Sequence, residues 1–410
     1  MRFRIAMATL RAILITLMTA LVFASPIISA ESAVELDSII HLSENDLSIK
    51  GIAENPEGNK ILIFGEGGYA NIISSKNPDS EVLLASSDNQ TMRDADWHPG
   101  GGTALLVGDE GMILRYAADD FSLTQAGEKM NFGQTDLNSV AWNTAGSWAY
   151  VGGDDGWLWR VRAEGDGGLE THQIEGRGEG DITDIDCHDD VMLCVISSVT
   201  DGIGIIDRNH ILTWIGGSFY PWNSVICPSN YYLSCVSVSS SQEIGIIQLH
   251  STIAVESELS VSTVKGIEGQ FTHLSYQDDA RSLIVVAPFA LLEHDVSKNA
   301  TYPWLENKDA QEFNIEISGE RIIGTWSSGE NSGWLITSRG TIIEFHSTEE
   351  GSEIGVILGG FIGFLIPLTI AMLILTLVYT ASPKLQYWMT MRFGNKQEKR
   401  DAKRKGRGKR

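Results

Sequence analysis

Four cysteines are the residues of this chain whose spacing most directly implies chemistry. Cys187 and Cys194 enclose six residues, and Cys227 and Cys235 enclose seven. Each pair stands at the end of one predicted strand and the start of the next, where facing residues of a hairpin come within disulfide reach. We therefore expect the pairs 187–194 and 227–235, in preference to disulfides between neighbouring repeats. Zinc is disfavoured because the sequence has no paired Cys-x-x-Cys or His-x-x-x-His.

Two short acidic runs carry the ligand types that hard cations prefer, namely His188-Asp189-Asp190 and Asp154-Asp155. Asp is equally a favoured turn residue, and we prefer that interpretation for both runs. The sequence has no Gly-x-Ser-x-Gly hydrolase turn and no vicinal cysteine pair of the kind that quinone-dependent dehydrogenases show. We expect no cofactor and no metal, and the sequence assigns no catalytic residue.

The elements that would position these residues recur along the chain. After Trp97 and after Trp142 come an apolar run, a turn of glycine and acidic residues, and a further strand. The two turns are Gly108-Asp109-Glu110-Gly111 and Gly153-Asp154-Asp155-Gly156. Glycine permits the positive φ that tight hairpins require, so each unit predicts a three-strand meander.

Seven copies of this unit follow one another at spacings of 40 to 49 residues, the size of one propeller blade. The aligned positions are 54, 97, 142, 187, 227, 276 and 325. Fourth strands are predicted between copies at 81–85, 121–126, 169–174, 211–215 and 301–305. Since no such strand follows the seventh copy, we predict that residues 34–42 pair with 341–346. This pairing would close the ring and remove its open sheet edges.

The pattern resembles the WD40 and YVTN-type β-propeller superfamily over nearly all of residues 34–346. The stretch Trp97-His98-Pro99-Gly100-Gly101 is similar to the W-x-P-x-G strand end of that superfamily. The hairpins 108–115 and 153–160 are similar to those of photosystem-assembly-factor-type propellers. No copy ends its third strand in Trp-Asp, so the resemblance implies the fold and no specific function. The fold class is all-β, with a seven-bladed β-propeller over residues 31–346 and one C-terminal transmembrane α-helix.

Two apolar segments predict the membrane topology. Residues 1–30 combine a basic start, an apolar core and small residues at the end, which is typical of a cleaved signal peptide; an uncleaved anchor is the alternative. Residues 354–381 carry no charge and are long enough to cross the bilayer as one α-helix, after a linker at 347–353. Positive residues stay on the cytoplasmic side, so the tail 382–410 is predicted inside and the propeller outside.

The tail and the span each suggest a contact. The tail carries eleven Lys and Arg against two acidic residues, which favours anionic lipid head groups or serves topology alone. Gly355, Gly359 and Gly363 recur every four residues on one helix face and predict a homodimer through the span. The alternative explanation is that glycine is common in membrane spans.

The charge of residues 31–353 excludes one class of partner. The segment holds 51 Asp and Glu against 16 Lys and Arg, and so negative a surface repels nucleic acid. All four cysteines lie in it, which fits an oxidising compartment, and Asn89 and Asn299 begin glycosylation acceptor triplets. We expect the tryptophans to pack between blades.

The sequence therefore predicts a single-pass cell-membrane protein with an extracytoplasmic propeller. Its function is predicted to be that of an interaction or assembly scaffold, with a protein or glycan ligand on a propeller face. The alternative is a propeller enzyme acting outside the cell, a glycosidase or lyase, which a cluster of Arg, His and carboxylates around the central axis would favour.

Overall fold

Seven four-stranded antiparallel sheets form the propeller of the computed structural model. The structure describes residues 32–164, 168–228, 233–251, 253–278, 280–329, 332–348 and 382–407. We number the blades in chain order and give their strands from the innermost outwards.

The first four blades are built from strands that follow one another in sequence. Blade 1 contains β2 (Ile49–Glu54), β3 (Lys60–Gly65), β4 (Ala70–Ser74) and β5 (Glu81–Leu83). Blade 2 contains β6 (Met92–Trp97), β7 (Thr103–Gly108), β8 (Ile113–Ala117) and β9 (Ser122–Gln125). Blade 3 contains β10 (Leu137–Trp142), β11 (Ala149–Gly153), β12 (Leu158–Ala163) and β13 (Leu169–Gln173). Blade 4 contains β14 (Ile182–Cys187), β15 (Cys194–Ser198), β16 (Gly202–Ile206) and β17 (Leu212–Gly216).

The last three blades follow the same order, except that the chain start supplies the final strand. Blade 5 contains β18 (Trp222–Ile226), β19 (Ser234–Ser239), β20 (Glu243–Gln248) and β21 (Glu258–Thr263). Blade 6 contains β22 (Gln270–Tyr276), β23 (Arg281–Ala287), β24 (Ala290–Asp295) and β25 (Ala300–Leu305). Blade 7 contains β26 (Ile322–Gly329), β27 (Ser332–Thr337), β28 (Thr341–Ser347) and β1 (Val34–His41). The helices are α1 (Asn307–Phe313), before blade 7, and α2 (Pro383–Phe393) and α3 (Lys396–Arg407) in the tail.

Packing between blades closes the ring. Each innermost strand contacts the next one, from β2 and β6 round to β26, which contacts β2 again. Seven clusters of buried apolar side chains fill the seven spaces between neighbouring blades. Second strands such as β3 are apolar on both faces, because every sheet packs against a blade on each side.

The predicted closure by the chain start is confirmed. Strand β1 pairs antiparallel with β28, with Glu35 opposite His346 and His41 opposite Thr341. Val34 is buried in the cluster between blades 6 and 7, and Leu36 and Ile39 pack against that cluster. The pairing covers the outer edge of β28, so blade 7 has the same four strands as the others.

The repeated glycine turns adopt the backbone that the sequence predicts. Glu110 and Asp155 have φ of 55° and 54°, and Gly111 and Gly156 have φ of 74° and 70°. These turns and the connections between blades lie on the same face of the propeller, which we call the upper face. The opposite, lower face carries the turns between first and second strands, such as 143–148 and 188–193.

Two details differ from the sequence-based expectation. Strand β21 is not among the predicted fourth strands, because its side chains are mostly exposed and leave no apolar pattern. In the seventh copy the residue equivalent to Trp97 is Ser327, opposite Gly333, and not position 325. That copy has neither Trp nor Cys at its strand end to mark the register.

The predicted signal peptide and the predicted span at 354–381 lie outside the described residues, as do Gly355, Gly359 and Gly363. In the ranges that the structure does describe, no helix has the length and apolar character needed to cross a membrane.

Candidate functional site

Acidic side chains on the innermost strands bind the exposed backbone edge of the next blade. A carboxylate oxygen of Asp94 on β6 accepts a hydrogen bond of 2.8 Å from the Val140 amide on β10. Asp96, two residues on, accepts one of 2.7 Å from the Trp142 amide. The inner edge of a sheet has unpaired N–H groups, which need acceptors when they are buried. These aspartates therefore join blade 2 to blade 3.

The same arrangement recurs between blades 4 and 5. Asp184 accepts hydrogen bonds from the Val225 amide at 2.9 Å and the Ser224 hydroxyl at 2.6 Å. Asp186 accepts one of 2.6 Å from the Cys227 amide. Between blades 3 and 4, the Ser139 hydroxyl replaces the carboxylate and accepts from the Ile185 amide at 2.9 Å. We call these side chains on β6, β10 and β14 the axial belt: Asp94, Asp96, Ser139, Asp184 and Asp186.

One hydroxyl proton serves two carboxylates within the axial belt. The Ser139 Oγ lies 2.8 Å from an oxygen of Asp94 and 3.2 Å from an oxygen of Asp184. A hydroxyl has one proton, so the two contacts share it as a bifurcated hydrogen bond, with the shorter one to Asp94.

Burial shifts the carboxyl groups of the axial belt toward the neutral form. It raises the pKa of Asp96 to about 7, of Asp186 to about 8 and of Asp184 to about 6. Burial, with the nearby Asp184 charge, also raises the pKa of Asp94 well above its ordinary value. The four residues keep partial solvent exposure, but their carboxyl groups pack against the next blade, and the loss of hydration there raises the pKa values. Because backbone amides occupy their oxygens, we interpret the belt as structural.

A cavity of about 170 Å³ lies between blades 3 and 4 on the lower face. Blade 3 supplies Trp148, in the turn before β11, and Tyr150 on β11. Blade 4 supplies Arg208 and His210 from the turn between β16 and β17. The turn 188–193, whose ends are joined by a disulfide, completes the wall with Met192. We call this the inter-blade pocket.

Two guanidinium groups surround the tryptophan of the pocket. Arg160 and Arg162, on alternate positions of β12, lie 4.7 Å and 4.5 Å from the centre of the Trp148 ring. Such cation–π contacts hold an indole in one orientation. Arg162 also pairs with Glu170 at 2.5 Å, and Glu170 contacts His172 at 2.6 Å. The Trp148 ring is therefore fixed from the β12 side.

A tyrosine sets the protonation of the pocket histidine. The Tyr150 hydroxyl lies 2.9 Å from Nδ1 of His210. Burial raises the pKa of Tyr150 to about 12, so the hydroxyl keeps its proton, and we assign it as the donor to Nδ1. Burial and the positive charge of Arg160 lower the pKa of His210. The imidazole is then neutral at pH 7, and its proton stands on Nε2.

Exposed apolar side chains lie on the lower-face turns of blades 4 and 5, two of them at the inter-blade pocket. Met192 in its wall is 60% exposed, and Ile211, next to His210, is 58% exposed. On blade 5, Ala254 packs into the same apolar cluster as Leu193, and its neighbour Val255 is 70% exposed. We call Met192, Ile211 and Val255 the apolar rim.

The structure places the sequence-predicted residues as follows. The disulfides Cys187–Cys194 and Cys227–Cys235 are confirmed, with Cα atoms 3.9 Å and 4.2 Å apart. Asp154 and Asp155 lie in a turn between two glycines, in agreement with the turn role preferred from the sequence. Within the described ranges, no group of three His, Cys, Asp or Glu is placed to hold a metal ion.

The tryptophans and the predicted glycosylation sites differ in how far they are exposed to solvent. Trp97 and Trp159 are buried between blades, as expected, while Trp142, Trp157 and Trp214 are half-buried. Asn89 and Asn299, the acceptor residues of the glycosylation triplets, are exposed.

The residues of the inter-blade pocket are not among the sequence-based candidates. Trp148 and His210 stand 62 residues apart, and neither belongs to a recognised motif. One signal was present in the sequence: Arg160 and Arg162 are two of the few basic residues in an acidic segment, and they alternate along one strand.

The seven four-stranded sheets form a seven-bladed β-propeller, which confirms the predicted fold. The chain is similar to the β-propeller domain of Cps50 (Swd1) from Myceliophteria thermophila, with a TM-score of 0.60 and 8% sequence identity. The similarity covers 77% of this chain and 100% of that domain. At this identity the likeness shows the fold alone. No protein-family model and no curated protein matches the chain.

Proposed function

We propose that this protein is a membrane-anchored interaction scaffold whose propeller stands outside the cytoplasm. Propellers serve as interaction scaffolds in many proteins, and the fold is consistent with that general role. Two disulfides support an oxidising compartment for the propeller. The apolar segments at 1–30 and 354–381 and the basic tail support one span with the tail inside.

The apolar rim beside the inter-blade pocket is the observation that carries the proposal. Met192, Ile211 and Val255 expose large apolar side chains to solvent, and exposed apolar patches mark interaction sites. Trp, Tyr, Arg and Met are the residue types enriched at protein interfaces, and the pocket contains all four. We therefore favour a protein partner over a glycan at this surface.

The axial belt bears on the enzymatic alternative. Its four carboxyl groups lie near the axis, where a glycosidase or lyase would place its acid and base. Backbone amides of the next blade occupy these groups, which leaves them little freedom to meet a substrate. The scaffold is for this reason the function that the geometry supports best.

Photo-crosslinking in native membranes tests the partner site. A benzoylphenylalanine at position 211 lies on the rim, and one at position 83 gives a matched control, because Leu83 is 68% exposed on blade 1. We expect a discrete protein adduct from position 211 that Met192→Glu removes, and none from position 83. Equal adducts at both positions, or none at 211, would contradict the proposal.

Protease added to intact cells tests the topology. With the propeller outside, we expect the propeller to be cut while an epitope on the C-terminal tail is protected. Cleavage of the tail in sealed cells would reverse the orientation.

A further inference from the structure

The inter-blade pocket differs in charge from the domain around it. Residues 31–353 hold three times as many acidic as basic residues. Among its described lining residues, however, there is no Asp or Glu, while Arg208 and His210 both line it. Arg160 and Asp207 both act on the charge of His210, with opposite sign. Arg208 thus gives the pocket a positive side chain within a strongly negative domain.

The polar groups of the pocket offer donors and have few acceptors to spare. The Asn143 side-chain oxygen already accepts from the backbone amides of Ser147 and Trp148, at 3.0 Å and 3.2 Å. The Thr144 hydroxyl already donates to the carbonyl of His188 at 3.0 Å. With the Tyr150 hydroxyl as donor to Nδ1 of His210, Nε2–H is a donor in the pocket that Arg208 also lines.

The volume of the pocket limits what it can hold. About 170 Å³ is well below the ~300–1,000 Å³ of sites for drug-sized ligands. One amino-acid side chain is of the right size. The apolar rim next to the pocket would at the same time contact the chain that presents that side chain.

We infer that the inter-blade pocket binds a carboxylate side chain presented by an acidic segment of the protein partner. This inference rests on the proposed function, since the partner is the one that the apolar rim binds. Arg208 supplies the charge-assisted hydrogen bond, and His210 Nε2–H supplies a second, neutral donor. Trp148, held by Arg160 and Arg162, forms a rigid wall against which the aliphatic part of the side chain packs.

Binding of a labelled peptide to the full chain in detergent tests the site. The probe is fluorescein-hexaglutamate, with hexaglutamine as its neutral counterpart, at 0.15 M salt, where long-range repulsion is screened within ~8 Å. We expect hexaglutamate to bind and hexaglutamine not to. Arg208→Gln should weaken binding by about tenfold, which is the effect of losing one charge-assisted hydrogen bond.

Arg115→Gln is the matched control, because Arg115 is exposed on blade 2 and the substitution removes the same charge as Arg208→Gln does. We expect this variant to bind as the unaltered chain does, and melting curves of both variants check the fold. Equal weakening by the two substitutions would show a general charge effect and overturn the inference. No binding of hexaglutamate to the unaltered chain would overturn it too.

Inorganic phosphate at 10 mM distinguishes a peptide carboxylate from a free oxyanion. We expect the peptide to stay bound, because the rim contributes contacts that phosphate cannot make. Displacement by phosphate that Arg208→Gln abolishes would assign the pocket to a free anion instead. If position 211 still crosslinks while hexaglutamate fails to bind, the scaffold stands and the carboxylate assignment falls.

Discussion

At the residue scale, the axial belt shows what a closed ring of sheets demands of single side chains. Every blade presents an unpaired backbone edge to the axis, and the neighbouring blade must supply the acceptors. Asp94 and Asp96 do so for blade 3, and Asp184 and Asp186 for blade 5. Carboxylates are strong acceptors, but so many of them close together cannot all ionise without cost.

The propeller should therefore lose stability as the pH rises through neutrality. The folded pKa values of Asp184, Asp96 and Asp186, about 6, 7 and 8, exceed the ~3.9 of an unfolded Asp. The folded state then binds more protons than the unfolded state, so the free energy of unfolding falls as the pH rises from 5.5 to 8.5. Denaturant unfolding at both pH values measures this loss.

Matched asparagine variants assign that pH dependence. Asp186→Asn keeps an acceptor oxygen and removes the titration, so its stability should change less with pH. Asp37→Asn, at an exposed position on β1, should behave as the unaltered chain does. The buried His273 and His294, whose pKa values burial lowers to about 4, stay neutral throughout this range. Stability that is flat or rising with pH would refute the assignment.

Of the functional residues, the sequence predicts those whose partners are near in the chain. Cys187 and Cys194 are seven residues apart in one hairpin, so strand pairing alone brings them together. Asp94 and the Val140 amide are 46 residues apart and meet only because consecutive blades pack side by side. Spacing along a strand does not encode such contacts between blades, and the inter-blade pocket belongs to the same class.

At the element scale, the glycine that opens each of these turns packs against the backbone just before the first strand of its own blade. A Cβ atom at Gly108 would lie 1.9 Å from the Thr91 carbonyl oxygen and 2.7 Å from the Met112 methyl group. The backbone there is extended, with φ of −176°, so the need for glycine is purely steric. The repeat thus conserves close approach of backbones as well as turn geometry within this one chain.

Gly108→Ala should lower the free energy of unfolding by about 2 kcal/mol, because the added methyl group must displace backbone. Gly102→Ala is the control six residues earlier, where a Cβ would meet no atom within 4 Å. We expect that variant to stay within about 0.5 kcal/mol of the unaltered chain. Chemical denaturation measures both, and equal effects would exclude the steric explanation.

Closure by β1 makes a second prediction at this scale. Val34 is 4% exposed in the cluster between blades 6 and 7, whereas Asp37 on the same strand is exposed. Val34→Asn buries a polar amide and should cost about 2–3 kcal/mol, while Asp37→Asn should cost almost nothing. Thermal melting compares the two. A melting temperature unchanged by Val34→Asn would mean that the seventh blade is stable without a well-packed β1.

The sequence predicts strands best where burial leaves an apolar pattern. The second strands are buried on both faces and mark all seven copies, whereas the exposed β21 leaves no such signal. The start of the chain was predictable as the closing strand because a ring of sheets requires one more strand than the seventh copy contains. That argument comes from topology and needs no side-chain detail.

At the scale of the whole molecule, the propeller segment is acidic and the C-terminal tail is basic. The tail that follows the predicted span contains α3, in which seven of twelve residues are Lys or Arg. Beside a bilayer, each such residue near an anionic surface contributes about 1 kcal/mol of attraction. A peptide of residues 382–410 should therefore sediment with vesicles containing phosphatidylserine and not with purely zwitterionic ones. Equal sedimentation would leave the tail with its topological role alone.

The acidic surface of the propeller makes the last prediction, which concerns salt. With 51 acidic and 16 basic residues over 31–353, the folded domain holds like charges close together, and unfolding separates them. Raising the salt concentration from 0.01 to 0.1 M shortens the screening length from about 30 to about 10 Å and weakens this repulsion. The melting temperature should therefore rise with NaCl. Sucrose at equal osmolality does not screen charge, so it should raise the melting temperature much less. Ionised carboxyl groups of the axial belt add to the same repulsion, so the salt effect should be larger at pH 8.5 than at pH 5.5. A melting temperature that does not change with salt at either pH would show that the acidic residues are spaced too widely to repel one another, and that the pH dependence arises within the belt alone.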